Sequence, residues 1–169
     1  MIFRDLTAED IEVRVQSVKK NGVILLLYKN ARVDMSILDE TVGAENWQRE
    51  HYESKGNLFC RVGIYCPSKQ KDSIGWVWKS DCGTESNTEP QKGEASDSFK
   101  RACFNWGIGR ELYTSPFIWI SDKNCTIDNG KCFDRFEVEA IRVENKKITG
   151  LAIRNATTGK RVFVWDANK

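Results

Sequence analysis

Six basic side chains fall where regular structure would hold them: Arg32, Arg61, Lys79, Lys92, Lys100 and Arg101. Cationic groups fixed on rigid elements neutralise phosphates without reading bases. Lys100 and Arg101 are the most informative, because they sit in the stretch Glu89 to Gly109. Its apolar residues Ala95, Phe99, Ala102, Cys103 and Trp106 recur every three or four positions, which puts them on one helical stripe. Such a stripe faces a core, and from it Lys100 points to one side and Arg101 towards the back. Six tryptophans offer a second chemistry, stacking on bases. Trp47, Trp76, Trp78 and Trp106 fall in apolar patterns, however, and are expected first as core.

Other chemistries lack their residues. The one histidine, His51, lies between Glu50 and Tyr52 with nothing at triad spacing, and neither a P-loop nor a dinucleotide fingerprint is present. Acidic residues are scattered, without the cluster a two-metal nuclease needs. The expectation is a protein that is not an enzyme and carries no cofactor. Six cysteines without a recognisable export signal read as free thiols in a reducing compartment. No C-x-x-C spacing occurs, so no metal is expected; Cys125 and Cys132 are the least unfavourable pair. With 26 basic and 24 acidic side chains the net charge is only +2, so a nucleic-acid site must come from local arrangement. The chain has no apolar run of about eighteen residues, and its start, MIFRDLTAED, lacks the regions of a secretory signal. A cytoplasmic location is expected.

The elements that must position these groups follow in order. Leu6 to Lys20 fits either a short helix, opened by Thr7 and Asp10 and carried by Ile11, Val15 and Val18, or a strand containing Val13 and Val15. Val23 to Tyr28 is an unbroken apolar run, expected as a strand covered on both faces. Ala31 to Val42 is a helix with Arg32 at its start, where a cation opposes the helix dipole, and Gly43 ends it. Trp47 to Glu53 and Leu58 to Cys66 form a hairpin across a turn-rich connection. In its second strand Leu58, Cys60, Val62 and Ile64 alternate with Phe59, Arg61, Gly63 and Tyr65. A polar loop with Lys69 and Lys71 leads to a third strand, Ile74 to Ser80, completing an antiparallel meander. A surface loop precedes the helix of Lys100, whose start suits Pro90 and whose exit suits Gly107 and Gly109. Leu112 to Ile120 is expected to be extended, Ser121 to Gly130 polar, and Phe133 to Trp165 a second small meander. The fold class is α+β, divided as 1–120, a linker at 121–132, and a C-terminal β-meander at 133–169.

Three stretches resemble, in order, the Rad52 superfamily of single-strand DNA annealing proteins. They are Tyr28 to Trp47, with an arginine opening a helix and a Gly-x-x-x-Trp ending; the strands from Leu58 to Trp78; and KGEASDSFKRACFNWG, Lys92 to Gly107, the most specific. The resemblance covers about Leu6 to Leu112. It implies a β-β-β-α core in which the meander packs on the long amphipathic helix, with assembly into rings or filaments. It also implies a groove that holds single-stranded DNA by its backbone for ATP-independent annealing in recombination and repair. Arg32 and Lys100 would be inner groove contacts, Arg101 and Lys92 further basic positions or subunit contacts, and Lys69 and Lys71 an outer site. Phe104 stands where the family often repeats a basic residue. The size resembles annealing proteins of bacteriophages and prophages, which would act in a bacterial cytoplasm beside a single-strand binding protein. The rival readings are a protective binder of single strands that does not anneal, and an interaction protein on the same fold.

Overall fold

A computed structural model describes residues 1–67, 75–84 and 90–169. The chain divides into two compact units, one comprising Met1–Arg4 and Ala31–Gly109, the other Asp5–Asn30 and Arg110–Lys169. It is α+β, with two antiparallel sheets and two α-helices.

The first unit contains helix α1 (Ala31–Val42), strands β3 (Trp47–Ser54), β4 (Asn57–Tyr65) and β5 (Trp76–Cys82), and helix α2 (Pro90–Trp106). The sheet order is β3-β4-β5. The β3–β4 hairpin runs in register from Trp47↔Ile64 to Ser54↔Asn57. Lys55 and Gly56 turn it at φ 53° and 75°, the paired positive values that match the strand twist in a two-residue hairpin. Alternation then sorts the side chains. Cys60, Val62 and Ile64 of β4 are fully buried, as are Phe99, Ala102 and Cys103 of α2 and Ile37 and Leu38 of α1. α2 lies against β4 and β5 and touches α1. Trp106 donates its indole N–H to the Val62 carbonyl at 2.9 Å, and Trp47 stacks on Phe99 at 6.0 Å while donating to Asp39 of α1 at 2.6 Å. Pro90 opens α2, and Gly107 leaves it at φ 98°.

One close approach fixes the end of β5 against the helix. A Cβ on Gly83 would collide with the Glu94 carbonyl oxygen and sit 2.9 Å from the Ser98 nitrogen. This explains why a small residue, Ser98, occupies a buried place on α2.

The second unit is a six-stranded sheet in the order β6-β2-β1-β7-β8-β9. Its strands are β1 (Glu12–Lys19), β2 (Gly22–Tyr28), β6 (Ile118–Ser121), β7 (Phe136–Glu144), β8 (Lys147–Asn155) and β9 (Lys160–Asp166). The edge strands β6 and β9 approach each other, so the sheet curls around Val23, Leu25, Ile118, Ile120, Leu151 and Ile153. β1 pairs with β7 at Glu12↔Glu137. The C-terminal meander, β7 to β9, therefore continues the sheet begun by β1 and β2 and belongs to the same unit.

Several expectations are resolved here. Thr7 and Asp10 do form a reciprocal cap, but on a single 3-10 turn, Ala8–Asp10, and a strand follows. The helix-like spacing of Ile11, Val15 and Val18 arises because a bulge between Val15 and Ser17 interrupts a period of two. β2 buries Val23, Leu25 and Leu27 and leaves Ile24, Leu26 and Tyr28 half-buried, so it is not covered equally on both faces. The segment expected to be extended begins instead with a 3-10 turn, Arg110–Thr114, before β6. Ile74, Lys69 and Lys71 lie outside the described residues.

Candidate nucleic-acid interface

All the described basic residues singled out in the sequence lie in the first unit, but the strand register separates them. Val62↔Lys79 and Val62↔Arg49 put Lys79 and Arg49 on the sheet face that carries α2, whereas Arg61 pairs with Glu50 and Ser80 on the opposite face. Arg61 does not share a surface with Lys100.

Each cation has a different degree of commitment. Arg61 donates from Nε and Nη2 to one Glu50 oxygen at 2.9 and 2.6 Å, with its guanidinium 4.5 Å from the Trp78 ring centroid. Lys79 donates to the Asn105 carbonyl at 2.9 Å and lies 4.8 Å from the Trp106 ring centroid, a cation satisfying the last turn of α2. Arg101 faces β5, its Nε 3.5 Å from Asp81 Oδ1; that Nε is buried without a hydrogen-bond acceptor among the described residues. These three are engaged inside the unit.

Lys100 is different. It is half-buried on α2, and among the described residues it has neither a hydrogen bond nor an ion pair. Arg32 is exposed in the first turn of α1, and Lys92 is exposed in the first turn of α2. Both place positive charge at a helix N-terminus, where the dipole is already positive, and α1 offsets part of it with Asp34 in the same turn.

Arg49 joins this set without having been singled out in the sequence. It is exposed on β3, its guanidinium 4.7 Å from the Phe99 ring centroid, within the usual reach of a cation–π contact. Burial pushes the neighbouring Cys60 thiol up to about 11, against a smaller opposing pull from Arg49. The signal was present in the strand period: once Trp47 is placed towards the helix, Arg49 and His51 follow it. His51 indeed reaches the Ala95 carbonyl of α2, with Nε2 at 3.1 Å.

The tryptophans divide likewise. Trp47 faces α2, and Trp106, the last residue of α2, faces the sheet through its bond to the Val62 carbonyl, whereas Trp76 and Trp78 pair with Tyr65 and Gly63 and so lie on the opposite face; all four are half-buried. Among the described residues no group of three or more His, Cys, Asp or Glu side chains could hold a metal ion, and no helix is long and apolar enough to cross a membrane.

Residues 2–131 match the sequence model of the Rad52/22 family of double-strand break repair proteins. No curated protein and no solved structure matches the chain.

Proposed function

From the premise that the chain belongs to the Rad52/22 family of double-strand break repair proteins, we propose that it binds single-stranded DNA by its backbone and anneals complementary strands. It does so without ATP, as a homo-oligomeric ring or filament acting in recombination, in the manner of the phage and prophage type. The single observation that carries the site is Lys100, a half-buried lysine with no partner among the described residues, on a helix anchored by Phe99, Ala102 and Cys103. Arg32 and Lys92, at the positive ends of α1 and α2, and Arg49 on β3 complete the phosphate-binding set. Arg101 and Lys79 support it by fixing α2 to β5, and Lys69 and Lys71 would serve an outer strand.

The mechanism needs no covalent step. Neutralised phosphates repel a second strand less, and an extended strand whose bases face outward has already lost much of the entropy that pairing would cost. A single-strand binding protein is the natural partner for handing over such a strand.

Substitution tests the site. Arg32→Ala and Lys100→Ala each lower affinity for a single-stranded oligonucleotide about tenfold, as expected for a charge-assisted contact, and leave the oligomer size unchanged. Unchanged binding in both variants overturns the assignment.

A further inference from the structure

The face of the three-stranded sheet turned away from α2 carries a feature the phosphate-binding set does not use. Its cross-strand rows are Tyr52–Phe59–Cys82, Glu50–Arg61–Ser80 and Gln48–Gly63–Trp78. Aromatic rings occupy the two outer rows. Tyr52 stacks on Phe59, with centroids 5.4 Å apart and planes at 19°. Trp78 lies directly over Gly63, where a Cβ would stand 2.8 Å from the indole.

The middle row is hollow. Ser80 is small, and Arg61 leans over Trp78 while Glu50 holds its Nε and Nη2. The result is a cleft of about 390 Å³ lined by Glu50, Tyr52, Arg61, Trp78 and Ser80, within the size range of small-molecule sites. One wall is a phenol ring, the other a guanidinium backed by an indole, and the edge carries a carboxylate and a hydroxyl. Rings and guanidinium planes are the surfaces on which unstacked bases lie. Arg61 is neutralised by Glu50, so the cleft has little to offer a phosphate.

We propose that this cleft is a nucleobase slot, taking one unstacked base of a single strand between Tyr52 and the Arg61–Trp78 pair. Arg61 occupies Glu50 Oε2 and leaves Oε1 to accept N–H donors at the edge, so the slot favours guanine, whose adjacent N1–H and N2–H can share that oxygen. It disfavours thymine, whose single N–H lies between two carbonyls. The proposal rests on the reading that this protein binds single strands, but it concerns the opposite face of the sheet and a different part of the nucleotide.

The test uses the full chain and dye-labelled oligonucleotides with an abasic backbone, either bare or carrying one base, followed by anisotropy at low salt. One guanine is expected to tighten binding roughly tenfold over the bare backbone, with thymine giving less. Tyr52→Ala removes a wall and Ser80→Tyr fills the floor; both residues are exposed. Each variant should abolish the gain while binding the bare backbone as the wild type does. Glu50→Gln should narrow the difference between guanine and thymine. Equal binding of bare and base-bearing oligonucleotides overturns the slot and leaves the phosphate contacts standing. Binding only when a base is present supports the slot and overturns the phosphate reading, and no binding of either overturns both. A change of oligomer size in both Tyr52→Ala and Ser80→Tyr would assign the face to a second copy of the chain and overturn the slot.

Discussion

Arg49 and Arg61 occupy adjacent strands, yet what holds each decides what it can do next. Arg61 has two donors on a carboxylate, whereas Arg49 rests against a ring and has no hydrogen bond or ion pair among the described residues. A cation held by a ring keeps its donors for a phosphate. Arg49→Ala should therefore reduce the slope of log affinity against log salt by about 0.7, the single-strand value for one phosphate contact, as measured by titration at several salt concentrations. An unchanged slope would remove Arg49 from the interface.

Thiols and a phenol provide a separate check on the packing. Burial pushes Cys60 and Cys125 from 9.0 to about 11, while a hydrogen bond to Glu12, with burial second, raises Tyr28 from 10.0 to about 12. All three groups hold their protons longer when folded than when unfolded. The folded state thus binds more protons above about pH 9, and stability present below that value declines as pH rises towards 11 and 12. The melting temperature should fall across that window, and alkylation of the native protein at pH 8 should spare Cys60, Cys103 and Cys125, which are buried. Rapid alkylation of Cys60 would contradict the packing of β4 beneath α2.

At the scale of elements, the join between β5 and α2 is the feature most exposed to test. Gly83→Ala forces a methyl group against the Glu94 carbonyl; overpacking of this kind costs about 1–3 kcal/mol, and the melting temperature should drop accordingly. Unaltered stability would mean that the strand end does not approach the helix so closely. The start, stripe and exit of α2 were legible in sequence because Pro90, Phe99, Ala102, Cys103 and Gly107 obey local rules. So was the hairpin at Lys55 and Gly56, where turn chemistry and alternation agree. Ile11 to Lys19 was not settled, since one bulge turns a strand's period into something close to a helix's. The site was half legible for a related reason. Periodicity told which residues share a face of one element, placing Lys100 beside its buried stripe, but not that Arg61 would find Glu50 or that Trp78 would settle over Gly63. Those pairings depend on register across strands, which no local window contains.

At the scale of the whole molecule, Arg32, Arg49, Lys92 and Lys100 all belong to the first unit. The second draws β1, β2 and β6 from the stretch that matches the family and β7 to β9 from beyond it. Pairing of Glu12 with Glu137 joins strands from the two sides of residues 121–132. Membership of a double-strand break repair family carries the functional account, and annealing is its central claim. The most direct measurement is pairing of two complementary dye-labelled oligonucleotides without ATP, across a salt series, with the particle size of the same preparation determined in parallel. The account predicts acceleration by a large oligomer that weakens as salt rises. Tight binding of each strand with no gain in pairing rate, or no binding even at low salt, would contradict it.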